Sequence, residues 1–122
     1  HDQIGASILG VLARALRSDE LRVSFAAAAA VWVLAEVAPT RARLPVAGLV
    51  PALLKLATAG SAPALTAEQA THRMREHRAE RATGRSLAEL REWPVGALFA
   101  LTQDDAGQKA LHRAGGELRL LP

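Results

Sequence analysis

The feature that most constrains the fold is an uninterrupted apolar segment, Phe25 to Ala35, made of Ala, Val, Leu, Phe and Trp. Ala and Leu are strong helix formers, and residues that favour strands are scarce in the chain. A helix that is apolar on nearly every side must be buried on most of them. The sequence therefore predicts an all-α protein built around a buried helix that begins after Ser18 and is stopped by Pro39.

Hydrophobic spacing and turn residues indicate further helices on both sides of this segment. They are an amphipathic helix over residues 4–17, a helix with Pro51 in its first turn, a polar helix within 64–85, a helix over 86–102 that is kinked at Pro94, and a short helix that ends at Gly115–Gly116. Thr66 and Ser86 each open a capping-box sequence. Gly84 suits the C-terminal cap of the polar helix.

A search for internal repeats detects two similar units in the chain. Each unit has a long apolar helix, a short helix, a glycine-containing turn and the start of a new helix. The first unit has its long helix at 30–38 and its turn at 48–51, and the second has them at 95–102 and 115–118. Units of this kind bury a continuous core by stacking on one another.

These residues resemble the armadillo repeat family. Residues 32–37 are similar to the long helix of the family, residues 48–54 to its medium helix, and residues 107–116 to the junction between repeats. The resemblance implies an armadillo-like right-handed helical solenoid of about two repeats plus a partial third. The expected ranges are 1–47 for the first repeat, 48–114 for the second with an insertion at about 60–85, and 115–122 for the start of a further repeat in a longer chain or complex.

The resemblance also implies binding residues on the long helices. Members of the importin-alpha type line a groove with a Trp and an Asn four residues later. Here Trp32 is followed by Glu36, and Gly96 by Ala100, so the Asn ladder of the family is absent. Trp32, Glu36 and Trp93 are the candidate groove residues. The alternatives are core packing for Trp32, a solvated or capping carboxylate for Glu36, and a filler behind the proline kink for Trp93.

The inserted segment is a second candidate binding surface, because loops and insertions on a rigid scaffold often carry function. Its helix is expected to lie lightly on the body through a thin stripe of small and apolar residues, Ala67, Ala70 and Met74. The candidate partner-binding residues are four arginines, Arg73, Arg75, Arg78 and Arg81. The alternative is an ordinary solvated helix that is stabilised by Glu–Arg pairs.

The sequence predicts no enzyme, no cofactor and no metal. The chain has no Cys, which excludes disulfides and thiolate metal sites. His72 and His77 are five residues apart, which is the wrong spacing for a shared metal face on a helix, and no acid completes a ligand set. A nucleophile elbow and a phosphate-binding glycine loop are also missing from the sequence.

The predicted function is a non-catalytic protein–protein interaction scaffold, which binds a peptide segment or a neighbouring subunit through its long helices. Two alternatives stay open: a purely structural repeat within a large assembly, and a nucleic-acid-associated protein that uses the Arg-rich insertion. The net charge of +3 is weak support for nucleic acid, because a mild basic excess is usually a solvated surface. The apolar run is too short for a bilayer, and no signal-peptide pattern is present. An intracellular, cytoplasmic location is therefore expected, with a ciliary or nuclear one also open.

Overall fold

The computed structural model of the chain describes residues 2–58 and 66–119, with side chains described from residue 8 to 58 and from 66 to 115. Within these ranges the chain forms α-helices and no strand, which confirms the prediction of an all-α protein. The helices are α1 (Asp2–Leu16), α2 (Leu21–Ala35), α3 (Ala38–Arg41), α4 (Val46–Thr58), α5 (Ala67–Thr83), α6 (Leu87–Leu101) and α7 (Asp105–Arg119). Residues 59–65, where the sequence predicts a helix end and the start of the insertion, lie outside the described residues, as does the chain from 120 on.

Helix α2 is the centre of the core. It packs most extensively against α6 and also contacts α1, α3, α4 and α5. Its inner side is lined by small residues such as Ala28, which is fully buried, and small side chains let neighbouring helices approach closely. The sequence predicted that α2 would be buried on most sides. Its outer side is not buried, because Val33 is 69% exposed. One side of this apolar helix therefore faces solvent.

Both ends of α2 also differ from the prediction. The helix begins at Leu21, and its N-cap residue Glu20 makes no capping hydrogen bond through its side chain. The Ser18 hydroxyl instead accepts a hydrogen bond from the Glu20 N–H at 3.1 Å. The helix ends at Ala35, and Pro39 lies in the first turn of α3, where the N–H that proline lacks has no helical partner anyway.

Helices α4 and α6 supply the other large core side chains, which include Leu49, Leu53, Leu90 and Leu101. Helix α6 continues through the buried Pro94. Helix α4 begins at Val46, so Pro51 lies inside it and not in its first turn as predicted. The turn that starts α4 is formed by Pro45, whose carbonyl accepts hydrogen bonds from the N–H groups of Gly48 and Leu49.

Helix α7 is longer than the sequence predicts. It runs without a break from Asp105 to Arg119, so the predicted turn at Gly115–Gly116 is wrong. A glycine inside a helix costs only about 1 kcal/mol relative to Ala. The buried Ala110 and Ala114 hold the helix against α4 and α6, and this packing outweighs the cost of the glycines.

Helix α5 has the ends that the sequence predicts. The hydroxyl of Thr66 accepts from the N–H of Gln69, and the Gln69 side chain accepts from the N–H of Thr66. The same reciprocal pair joins Ser86 and Glu89 at the start of α6. Gly84 ends α5 in the left-handed conformation, at a φ of 68°, which residues with a Cβ adopt at a cost.

The predicted contact stripe of α5 is wrong, because its three members are all exposed: Ala67, Ala70 and Met74. The side of α5 that faces the body holds Glu76 and Ala79. Oε2 of Glu76 lies 3.4 Å from a guanidinium nitrogen of Arg91 on α6, and Oε2 of Glu80 accepts a hydrogen bond from the Leu87 N–H at 2.9 Å. The polar contacts to α6 and the start of that helix, together with the buried Ala79, therefore orient this helix.

Candidate functional site

Trp32 lies directly against the backbone of the neighbouring helix α6. A Cβ atom built on Gly96 would come within 2.5 Å of Cε2 of the Trp32 ring, so the ring occupies the space that any larger residue would need. The ring is half-buried and packs against the core. The contact joins Trp32 of the first predicted repeat unit to Gly96, which occupies the corresponding position in the second unit.

The Trp32 indole also holds the neighbouring carboxylate of its own helix. Nε1 of Trp32 donates a hydrogen bond to Oε1 of Glu36 at 2.8 Å, as expected for residues four apart on one helical face. Glu36 is exposed and is the C-cap residue of α2. The indole N–H is therefore already used, and the carboxylate is the polar group that this pair presents to solvent.

Both long helices carry exposed apolar side chains close in sequence to Trp32, Glu36 and Gly96. On α6 Phe99 is 72% exposed and Val95 is also exposed, and on the α2 side Val33 and Val37 are exposed. Glu92, one turn before Gly96, is exposed as well. We call this set the α2–α6 face: Trp32, Val33, Glu36, Val37, Glu92, Val95, Gly96 and Phe99. The sequence interpretation missed Phe99, although its spacing of four from Val95 was a visible signal.

Trp93 lies nearer to the α5–α6 junction. It is half-buried and packs against the core, and the guanidinium carbon of Arg85 lies 5.6 Å from its ring centroid. This distance suits a cation–π contact. The ring thus stabilises the turn between the two helices.

The four predicted arginines of α5 do not share one exposure. Arg78 and Arg81 are exposed, whereas Arg73 and Arg75 are half-buried. Arg78 and Arg81 line a shallow groove along α5 together with Met74. Arg75 instead lines a cavity between α5 and the body. Arg75 and Arg78 also line a small hollow beside the start of α2, so the four arginines do not form one continuous exposed surface.

That cavity, which we call the basic cavity, has a volume of about 470 Å³ and is lined by residues of α1, α2, α4, α5 and α6. Its apolar wall includes Leu21, Phe25 and Leu56. Its cationic residues come from four different helices or their ends and are listed here: Arg17, Lys55, Arg75 and Arg91. No sequence motif announces this site, because its residues are scattered over the chain.

A buried carboxylate lies at the inner side of the basic cavity. Glu76 is 6% exposed, and its Oε2 lies 3.4 Å from Nη2 of Arg91 and 3.8 Å from Nε2 of His72. Burying an ion is expensive unless a partner of opposite charge compensates it. Arg91 therefore neutralises Glu76, and this pair couples α5 to α6.

The two histidines of α5 contact glutamates that the sequence interpretation did not assign to them. Nδ1 of His77 lies 3.4 Å from Oε1 of Glu80, and His72 is beside Glu76. Each histidine has its own partner, and the two are not brought together. Among the described residues no group of three His, Cys, Asp or Glu side chains is placed to hold a metal ion.

Comparison of the chain with protein-family models, with curated proteins and with solved structures found no match. The functional interpretation of the two surfaces therefore rests on their own geometry and charge. In the part of the chain that the structure describes, no helix combines the length and the apolar character needed to cross a membrane.

Proposed function

We propose that this chain is a non-catalytic protein–protein interaction module, an armadillo-like solenoid segment that binds a peptide segment of a partner protein on the α2–α6 face. The pairing of the two long helices α2 and α6 supports this arrangement. The helix order after α2 also supports it, because the short helix α3 and the helix α4 follow α2 as in the expected unit. The second unit differs, since α6 is followed by the single helix α7 and not by a short helix and a glycine turn. The inserted α5 then stands between α4 and α6.

The observation that carries the proposal is the exposure of Phe99, which follows by three residues the Gly96 that lies against the Trp32 ring. An aromatic ring that is 72% exposed exposes apolar surface that binding would remove from water, and aromatic residues are enriched at protein interfaces. Val33, Val37 and Val95 extend the apolar area on both helices. Apolar surface of this kind, next to charged residues, is typical of an interaction site.

The charges of the face determine the chemistry of the partner. Glu36 and Glu92 are both exposed on the two helices, while the chain as a whole carries a net charge of +3. No ion pair of the Glu92 carboxylate occurs among the described residues. The complementary ligand is therefore an extended segment with apolar side chains and at least one Lys or Arg.

The test is a selection of peptides from a displayed random library, followed by anisotropy titrations of the selected peptides. We expect peptides that combine apolar and basic residues. Phe99→Ser should weaken their binding about tenfold or more, as for a central interface residue, and Glu36→Gln should weaken the basic peptides selectively. Met74→Ser is the matched control, because Met74 is 62% exposed but belongs to α5. This substitution should change the peptide affinity by no more than about twofold.

Two results would contradict the proposal. One is a selection that yields acidic peptides, or peptides that bind Phe99→Ser as tightly as the wild type. The other is tight binding of single-stranded RNA that falls steeply with salt and requires Arg78 and Arg81. Phosphate contacts produce such a salt dependence, so this outcome would favour the nucleic-acid alternative.

A further inference from the structure

The basic cavity has the size and shape of a small-molecule site. Its volume of about 470 Å³ lies in the range of roughly 300–1,000 Å³ that is usual for ligand pockets. Leu21, Phe25 and Leu56 line the cavity but are themselves buried. The apolar surface that is open to a ligand therefore comes mainly from the exposed Pro51 and the half-buried Ala52. An apolar chain or ring can therefore bury its surface against this wall.

Positive charge exceeds negative charge around the cavity. Four cationic side chains line it, against the two carboxylates of Asp19 and Glu76. The Glu76 charge is compensated by Arg91. Among the described residues no carboxylate lies at ion-pair distance from Lys55 or Arg75. The cavity thus presents uncompensated positive charge above an apolar wall.

Arg17, which is one of these four cations, and the N-terminus of α2 both lie at the cavity. The Arg17 guanidinium lies there and donates a long hydrogen bond, 3.5 Å, to the Gly48 carbonyl. The first turn of α2 begins at Leu21, which lines the cavity. The partial positive charge of this helix N-terminus is accompanied by the carboxylates of Asp19 and Glu20 directly before it. Like charges that are gathered in a concave, partly dehydrated site repel one another, and a bound anion relieves this repulsion.

We infer that the basic cavity binds a small amphipathic anion, an apolar chain or ring that carries one carboxylate. The apolar body would lie against Pro51 and Ala52, and the carboxylate would accept hydrogen bonds from Lys55 and Arg75. Arginine donors match the geometry of a carboxylate. The cavity shares no residue with the α2–α6 face, so this site is independent of the proposed peptide binding and each can fail without the other.

The test is isothermal titration of the whole chain with octanoate below its micelle concentration. Two comparison ligands are used. Octylamine has the same apolar chain as octanoate and the opposite charge, and inorganic phosphate is an anion that lacks the apolar chain. We expect octanoate to bind at least about tenfold more tightly than either, because it alone satisfies both the cationic side chains and the apolar wall. Equal affinity for octanoate and octylamine would overturn the inference.

Variants then locate the binding. Lys55→Gln and Arg75→Gln should each weaken octanoate binding about fivefold, the expected order for removing one nearby cation at a partly exposed site. Arg81→Gln is the matched control on the same helix as Arg75, because Arg81 does not line the cavity. The octanoate affinity of this variant should stay within about twofold of the wild-type value. If Arg81→Gln weakens binding as much as Arg75→Gln, the anion is held by general surface charge and the inference falls.

A filling substitution tests the cavity separately from its charge. Ala52 on α4 is half-buried and lines the cavity, so Ala52→Phe places a ring where the apolar chain would lie and should abolish octanoate binding. Circular dichroism spectra and melting curves establish whether this variant is folded. Undiminished octanoate binding by folded Ala52→Phe would contradict the inference. If Ala52→Phe does not fold, the octanoate affinity of Lys55→Gln still tests the inference, because Lys55 is exposed and its substitution leaves the core intact.

Discussion

Replacing Gly96 with Ala is expected to destabilise this protein, although Ala is the better helix former. The new Cβ would lie 2.5 Å from Cε2 of Trp32 and 2.6 Å from both Cδ2 and Cζ2. These atoms belong to the shared edge and the benzene part of the indole, so rotation of a flexible end cannot relieve the collision. The whole ring has to move away from α6.

The expected loss of stability follows from three opposing terms. Replacing Gly by Ala inside a helix stabilises by about 1 kcal/mol, whereas overpacking of this kind costs about 1–3 kcal/mol. Moving the ring also lengthens the 2.8 Å hydrogen bond from Trp32 to Glu36, whose net value is about 1 kcal/mol. The balance is a loss of about 1–3 kcal/mol, or a decrease of about 4–12 °C in the Tm of a domain of this size.

The assay is urea and thermal unfolding, followed by circular dichroism, of Gly96→Ala alone and in a Trp32→Ala background. Without the indole the collision disappears, so the same substitution should then stabilise the protein by up to about 1 kcal/mol. Gly10→Ala in α1 is the control, because no atom lies within 4 Å of its new Cβ. This control should stabilise in both backgrounds.

The reasoning is refuted by either of two results. One is a Gly96→Ala variant that is as stable as the wild type or more stable. The other is a loss of stability that persists unchanged in the Trp32→Ala background, because the cost would then come from the α6 backbone and not from the ring.

Two further predictions concern the attachment of α5. Arg91→Met should lower the free energy of unfolding by about 2–3 kcal/mol, because it leaves the buried Glu76 without its cation. In urea unfolding, the double variant with Glu76→Gln should recover most of that loss. Strictly additive effects of the two substitutions would argue against the coupling. Gly84→Ala should cost about 1 kcal/mol, because Gly84 has a φ of 68° in the left-handed region. Gly84→Asn should cost less in the same melting experiment, since Asn tolerates that region better, and equal melting temperatures for both variants and the wild type would contradict the assigned cap.

The local features of this chain were readable from sequence because their hydrogen bonds close within a few residues. Thr66 with Gln69, and Ser86 with Glu89, are three apart, and both capping boxes form as predicted. The left-handed cap at Gly84 is also local. The all-helical character follows from helix propensities that act over the whole chain.

The arrangement of the Trp32–Glu36 pair was also predictable in part. A spacing of four places both side chains on one face of α2, and the hydrogen bond between them follows from that spacing. Which neighbour the ring packs against was not predictable, since Gly96 lies on another helix and its lack of a side chain gives no hydrophobic signal.

The side of α5 that contacts the body was decided only by the tertiary structure. This helix has hardly any large apolar residues, so the apolar pattern contains little information about its orientation. Glu76 pairs with Arg91, which is fifteen residues further along the chain. With α5 in this orientation, Met74 is exposed to solvent and Arg75 lines the basic cavity. Charges on separate helices meet only when the chain folds, and for that reason the cavity has no sequence motif while the caps do.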